Sequence, residues 1–300
     1  MPTDVVTGAF GYSGAAITRE LIAAGHQVRT LTGHPGRAPA GTEIDVRPMD
    51  FGDPGALARD LTGAHTLYCT YWIRFPHGSA THETAVSNLR TLFEAAARAG
   101  VQRIVHTSIT HADPASPYPY FRGKGEAERF LADCGVPYAI ARPAIFFGGN
   151  GVLLNNIAWL LRHLPVFAIG GRGDYRIRPI HVDDMAKLCV RLGGESANVT
   201  VDAVGPESVT FRDMVLAIKA ATGSHAAVVP APGWLIPPAA RVLGLALRDV
   251  LLTGEEYRAM AEGLADSSAP AAGETVLTDW IAKHGADLGR TYANELVRHY

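Results

Sequence analysis

The sequence predicts an α/β chain: a doubly wound parallel sheet followed by a smaller, mainly helical lobe. Three observations carry this prediction. Over the first half of the chain, short apolar runs alternate strictly with longer amphipathic stretches across short connections, the rhythm of parallel strands with helices on both faces. Three glycines at intervals of three, in Thr7-Gly8-Ala9-Phe10-Gly11-Tyr12-Ser13-Gly14, stand at the first junction from strand to helix. Beyond Gly148 the alternation breaks, and short helices and a proline-rich stretch (Pro230 to Pro238) take its place.

The elements follow in order. Val5 and Val6 close the first strand, and Ala15, Ile17, Leu21 and Ile22 are spaced as one face of a helix that stops at Gly25. Gln27–Thr32 reads as the second strand and Glu43–Pro48 as the third. Asp53-Pro54 opens a short helix through Leu61, with aspartate as cap and proline in the first turn. Thr66–Thr70 is a fourth strand, His82–Ala99 a long helix ended by Gly100, and Arg103–Thr107 a fifth strand. Tyr120–Cys134 is helical, and Tyr138–Arg142 is the sixth strand. After that, Val152–His163 and His181–Leu192 read as helices, and Asn198–Ala203 as a strand returning to the sheet. The expected division is therefore 1–148 for the sheet domain and 149–300 for a substrate lobe, with about 176–203 returning to the sheet.

Composition narrows the class. The chain of 300 residues is 47% hydrophobic and 19% charged, ordinary for a globular protein and too apolar for disorder. Its 27 basic and 29 acidic residues leave a net charge of -2, so no nucleic-acid partner is expected. Cys69, Cys134 and Cys189 are scattered and in no metal-ligand spacing, which reads as reduced thiols in a cytoplasmic protein. Asp4 and the glycine loop occupy the place of a signal-peptide core, and no apolar run is long enough to span a membrane, so neither leader nor membrane partner is expected. Trp234–Leu252 is apolar but interrupted by Pro237, Pro238, Arg241 and Arg248. It reads as a core-packing helix rather than an interfacial helix or a lid. The 12 histidines are dispersed, and the pairs His77/His82 and His106/His111 read as surface or loop residues.

The candidate chemistry lies at the strand ends. Glycines between a strand and a helix let backbone approach a phosphate pair, while the helix N–H groups and dipole hold the negative charge. Asp50 follows the third strand, where its carboxylate can accept from an adenine amino group beside Phe51, or can simply cap the next turn. The end of the second strand carries no carboxylate before Glu43, whereas His34 and Arg37, with Arg29 as a third candidate, can hold a 2′-phosphate. NADP(H) is therefore the favoured cofactor and NAD(H) the alternative. Tyr120 and Lys124, four apart, share a helix face, where an ammonium lowers the phenol's pKa and the phenol exchanges a proton with a substrate oxygen. Asp183-Asp184 lacks a third ligand at usable spacing and reads as a helix cap, so no metal is expected. The aromatic run Tyr71-Trp72-Ile73-Arg74-Phe75 is either a substrate-side wall or local packing.

Taken together, these residues resemble the short-chain dehydrogenase/reductase superfamily, in its extended and atypical branches. The glycine loop, Asp50, Tyr120-Phe121-Arg122-Gly123-Lys124, Arg142-Pro143 with Phe147-Gly148, and Pro179-Ile180-His181-Val182-Asp183-Asp184 carry the resemblance over about two thirds of the chain. The chain as a whole resembles epimerase/dehydratase-like, NmrA-like or complex I accessory-subunit-like members, and the remainder, including Val204-Gly205-Pro206-Glu207 and Leu288-Gly289-Arg290 with Tyr292, is similar to the tail of the epimerase-like and complex I accessory-subunit-like ones. The resemblance implies a Rossmann-type fold in which Gly8, Gly11 and Gly14 cradle the pyrophosphate and Phe10, Tyr12 and Ser13 line its approach. It further implies Thr70 and Tyr71 by the cofactor ribose, Lys124 on the nicotinamide ribose, Tyr120 as acid/base and Pro143 beside the nicotinamide. One departure stands out: Ile109 occupies the place of the family's usual catalytic hydroxyl, leaving Ser108 or Thr110 to supply it.

Two functions follow from this reading. One is an NAD(P)(H)-dependent oxidoreductase or epimerase/dehydratase acting on a small carbonyl or alcohol through Tyr120 and Lys124. The other is a dinucleotide-binding sensor or assembly protein without turnover. Either fits a monomer or a homodimer.

Overall fold

The computed structural model describes residues 3–299. In chain order the first elements are β1 (Thr3–Thr7), α1 (Tyr12–Ala23), β2 (Gln27–Thr32), β3 (Asp45–Pro48), α2 (Pro54–Leu61), β4 (Ala64–Cys69), α3 (His82–Ala99), β5 (Arg103–Thr107), α4 (Pro119–Asp133) and β6 (Tyr138–Pro143). Then come β7 (Phe146–Phe147), α5 (Val152–His163), β8 (Val166–Gly170), β9 (Arg176–Ile177), β10 (Ile180–His181), α6 (Val182–Gly193), β11 (Val199–Ala203) and β12 (Val209–Thr210). The last are α7 (Phe211–Thr222), β13 (Ala227–Ala231), α8 (Ile236–Leu247), α9 (Gly254–Ala261), α10 (Leu277–His284) and α11 (Glu295–His299).

The described residues form two compact units, 3–143 with 182–203, and 144–181 with 204–299. The first holds a seven-stranded sheet in the order β11-β6-β5-β4-β1-β2-β3, every pairing parallel. The order reverses between β1 and β4, and in such sheets the ligand crevice opens at that switch point, beyond the carboxyl ends of the strands. The strands read as apolar runs because both faces are covered: every residue of β5 is buried. Helix boundaries obey local chemistry. The side chain of Asp53 accepts the Ala56 amide at 2.9 Å and Thr81 accepts that of Thr84 at 3.1 Å, capping α2 and α3, and Gly100 ends α3 in the left-handed conformation. The return of α6 and β11 is anchored by Arg103, whose guanidinium donates to the carbonyls of Leu192 (2.7 Å) and Ala197 (2.8 Å). Gly193 comes so close to the Tyr68 hydroxyl that a side chain there would overlap it.

The second unit builds its own core from Phe147, Leu154, Ile157, Ile177, Met214, Ile218, Leu277 and Ile281. Arg178 ties it together, donating to the carbonyls of Gly205, Ser267 and Ala269 at 2.6–2.8 Å. One sequence expectation fails here. Instead of packing into a core, α8 buries only Gly244, and Trp234, Val242 and Leu245 are 75%, 70% and 74% exposed. Periodicity identifies an apolar face but not its partner, and this one faces outward.

Candidate functional site

The glycine loop joins β1 to α1 at the switch point. Gly8 takes φ +65°, a left-handed conformation that suits glycine. A Cβ on Gly14 would overlap the Gly8 carbonyl, so the first turn of α1 lies directly on the loop. From beneath, Leu31 accepts the Gly8 amide at 2.9 Å, and the Thr30 hydroxyl accepts the Ala9 amide (3.1 Å) while donating to the Val6 carbonyl (2.9 Å). Gly11 stands at the N-cap, without a side-chain cap and with no acidic residue in the first turn. The positive end of the helix is thus left to an outside anion. Phe10, Tyr12 and Ser13 are half-buried around it. A glycine in the left-handed conformation, a Gly14 with no room for a side chain and a helix N-terminus without a side-chain cap are what a dinucleotide pyrophosphate requires.

The neighbouring strand ends carry the other candidates. His34 precedes and Arg37 ends a short 3-10 turn after β2, both exposed. Arg29 is not with them: it donates to Asp45 (2.8 Å) and to the Asp60 carbonyl (2.6 Å), because it leaves β2 toward β3 and α2. Asp50 accepts the Gly52 amide at 2.8 Å through one carboxylate oxygen, closing the turn before α2. Phe51 packs on Tyr71 with ring centroids 4.9 Å apart, and the Tyr71 hydroxyl accepts from Asn88 at 2.8 Å. Thr70 is zipped to β1, its amide donating to the Thr7 hydroxyl (2.8 Å) and its hydroxyl to the Thr7 carbonyl (2.6 Å).

Lys124 is 2% exposed. Its Nζ donates to the Thr107 carbonyl at 2.8 Å and lies 4.4 Å from the centre of the Trp72 ring. Burial strips water from the ammonium and lowers its pKa to about 7, with Cys69 and Glu128 pulling weakly the other way. Tyr120, half-buried one turn earlier on α4, meets the same indole edge-on at 5.6 Å. His82 completes the group, stacked on Trp72 (5.9 Å, 6° between planes) and edge-on to Tyr120 (5.6 Å). Glycines let α4 lie this close: a Cβ on Gly123 would press on Trp72, and one on Gly125 would overlap the backbone of Asp113 and Pro114.

The loop after β5 supplies hydroxyls. Ser108 is 3% exposed, and its Oγ has no hydrogen-bond partner among the described residues, whereas its amide donates to the Ala141 carbonyl at 2.8 Å. Thr110 is buried and its amide donates to the carbonyl of Pro143, itself buried at the end of β6. The site thus brings Trp72 and His82 beside Tyr120 and Lys124. His82 and His106 both correct the surface reading, since His106 is fully buried in β5 against Phe93 and burial drives its pKa far down. Nothing in the spacing of either histidine marks it as interior. Trp72 alone had a signal, in its aromatic run after the fourth strand. Among the described residues no cluster of metal-ligating side chains occurs, and no helix is long and apolar enough to cross a membrane.

Comparison with known proteins gives the relatives of this chain. A family described as NAD(P)H-binding matches residues 8–154. An uncharacterized protein of Mycobacterium tuberculosis is 30% identical over 216 residues, 71% of this chain but 23% of that protein, so the match spans under a quarter of that relative's length. Quinone oxidoreductase 2 of Escherichia coli is 30% identical over 197 residues, 64% of each chain. Among solved structures, the triphenylmethane reductase of Citrobacter sp. complexed with NADP(H) has the same fold, with a TM-score of 0.78 at 19% identity over 95% of this chain and 100% of that one.

Proposed function

With the NAD(P)-binding domain of the extended short-chain dehydrogenase/reductase, NmrA-like family in this chain as the premise, we propose that it reduces a small carbonyl compound, of which a quinone is one kind, at the expense of NADPH. The observation that carries this reading is the meeting of Tyr120, edge-on, and the buried Lys124, over the ring, at one indole, that of Trp72. Gly8, Gly11 and Gly14 hold the pyrophosphate. His34 and Arg37 pair with a 2′-phosphate, Asp50 and Phe51 border the adenine, and Thr70, Tyr71 and Pro143 line the rest of the crevice.

When bound, the dinucleotide supplies a hydride to the carbonyl carbon. The residues do the remainder. Lys124, pinned by the Thr107 carbonyl, presents its remaining N–H groups to the nicotinamide ribose. Tyr120 donates a phenolic proton to the substrate oxygen and recovers it from solvent across its exposed edge. The unpartnered Ser108 hydroxyl donates a second hydrogen bond to the same oxygen, taking the role that Ile109 cannot fill. The names of the relatives agree with a reductase, since one is a quinone oxidoreductase and another a triphenylmethane reductase.

Tyr120→Phe tests this. General acid catalysis contributes about a hundredfold to ten-thousandfold, so turnover of a quinone or carbonyl acceptor should fall by at least about a hundredfold while NADPH affinity stays nearly unchanged. Equal turnover would remove the phenol from the mechanism. Tight NADPH binding with no turnover of any acceptor by the unaltered protein would favour a binding protein over an enzyme.

A further inference from the structure

We propose that α8 is a membrane-surface helix, which docks the second unit on anionic lipid with its axis in the plane of the bilayer. Leu235, Pro238, Ala239, Val242, Leu245 and Ala246 are all exposed and recur at intervals of three and four, so the outward stripe of the helix is wholly apolar. Trp234, the most exposed of the large apolar side chains here, stands at its start, and tryptophan concentrates where a bilayer meets water. Arg241 and Arg248 flank the stripe one heptad apart, both exposed, and long basic side chains at the rim of an apolar face can keep their stems on it while their charges meet headgroups. No carboxylate occurs between Asp213 and Asp249. Asp249 itself is buried and committed, accepting from the Tyr292 hydroxyl (2.5 Å) and from the Glu295 and Leu296 amides (3.0 and 3.1 Å). The exposed charge on this helix is therefore entirely positive.

Geometry decides among occupants. Twelve residues make a helix about 18 Å long, too short for a hydrocarbon core of about 30 Å, so it lies on a bilayer and does not cross it. A second copy is disfavoured, because a stripe of that length and about 10 Å width offers under about 200 Å², against about 800 Å² per partner in a stable interface. Pairing two such faces would also bring four guanidiniums together. The helix is held firmly from behind by the turn that Gly244 makes possible, where the Asp249 amide donates to the Gly244 carbonyl at 2.9 Å.

The test is flotation of the full chain with vesicles of phosphatidylcholine alone or mixed with phosphatidylglycerol. Binding should appear on the mixed vesicles, weaken with salt and vanish in a Val242→Glu/Leu245→Glu variant. An Arg241→Gln/Arg248→Asn variant should bind the anionic vesicles about thirtyfold more weakly, at about 1 kcal/mol for each arginine. NADPH titration of every variant, read by tryptophan fluorescence, checks that the fold is intact. Failure to float at low salt, or flotation unchanged by the two glutamates, overturns the proposal. So does a dimer in sedimentation that the glutamates dissociate, which would assign the face to a second copy.

Discussion

Arg37 and Lys124 are cations of the same unit with opposite physics. Arg37 is exposed in the 3-10 turn that follows β2, whereas Lys124 is buried. A hydrogen bond to a charged group contributes about 1.5–3 kcal/mol, so Arg37→Ala should weaken NADPH binding by roughly tenfold to a hundredfold. NADH binding should barely change, because NADH lacks the 2′-phosphate. Parallel loss of both in fluorescence titrations would place Arg37 outside that role. The candidate pair Tyr120/Lys124 was legible because a helix converts a spacing of four into adjacency. Trp72 and His82 were not, since they reach the same place from a loop and from the start of α3, a contact that only tertiary packing creates. Arg29 fails in the opposite sense: its position in sequence suggested the phosphate, but its side chain points to Asp45.

Among the elements, the first turn of α1 depends most sharply on one atom. Gly14→Ala sets a methyl group against the Gly8 carbonyl, with backbone on both sides, so neither partner can yield without moving the loop. Overpacking of this kind costs about 1–3 kcal/mol. Gly14→Ala should lower the denaturation midpoint accordingly and weaken dinucleotide binding more than tenfold. Gly36→Ala, which would meet nothing within 4 Å, should change neither. An intact midpoint in Gly14→Ala would show that the loop has room the structure does not give it. The alternation of strands and helices was readable because buried parallel strands are apolar throughout and glycines punctuate the helices. The fate of α8 was not, because an amphipathic stripe looks the same whether it meets a core or the outside.

Across the whole molecule, the burial of Lys124 has a consequence for global stability. Its folded pKa of about 7 lies well below the ordinary lysine value of 10.5, so between those limits the unfolded chain binds the extra proton. Stability therefore rises with pH through that window, at up to about 1.4 kcal/mol per pH unit from this group alone. The penalty is complete below pH 7 and absent above 10.5. Two buried thiols act in the reverse direction at the alkaline end: burial raises Cys69 to about 11 and Cys189 to about 12, so the folded chain keeps protons that the unfolded one releases. Their effect begins near the ordinary thiol pKa of about 8.5, which leaves roughly pH 7 to 8.5 as the interval in which Lys124 dominates the difference. Denaturant unfolding of the cofactor-free protein and of Lys124→Met across that interval isolates it, because both chains keep the thiols and His106. The unaltered protein should gain stability with pH about 1 kcal/mol per unit faster than the variant. Equal slopes would mean that the ammonium beneath Trp72 keeps its ordinary affinity for its proton, and that the Thr107 carbonyl and the indole face solvate it as well as water does.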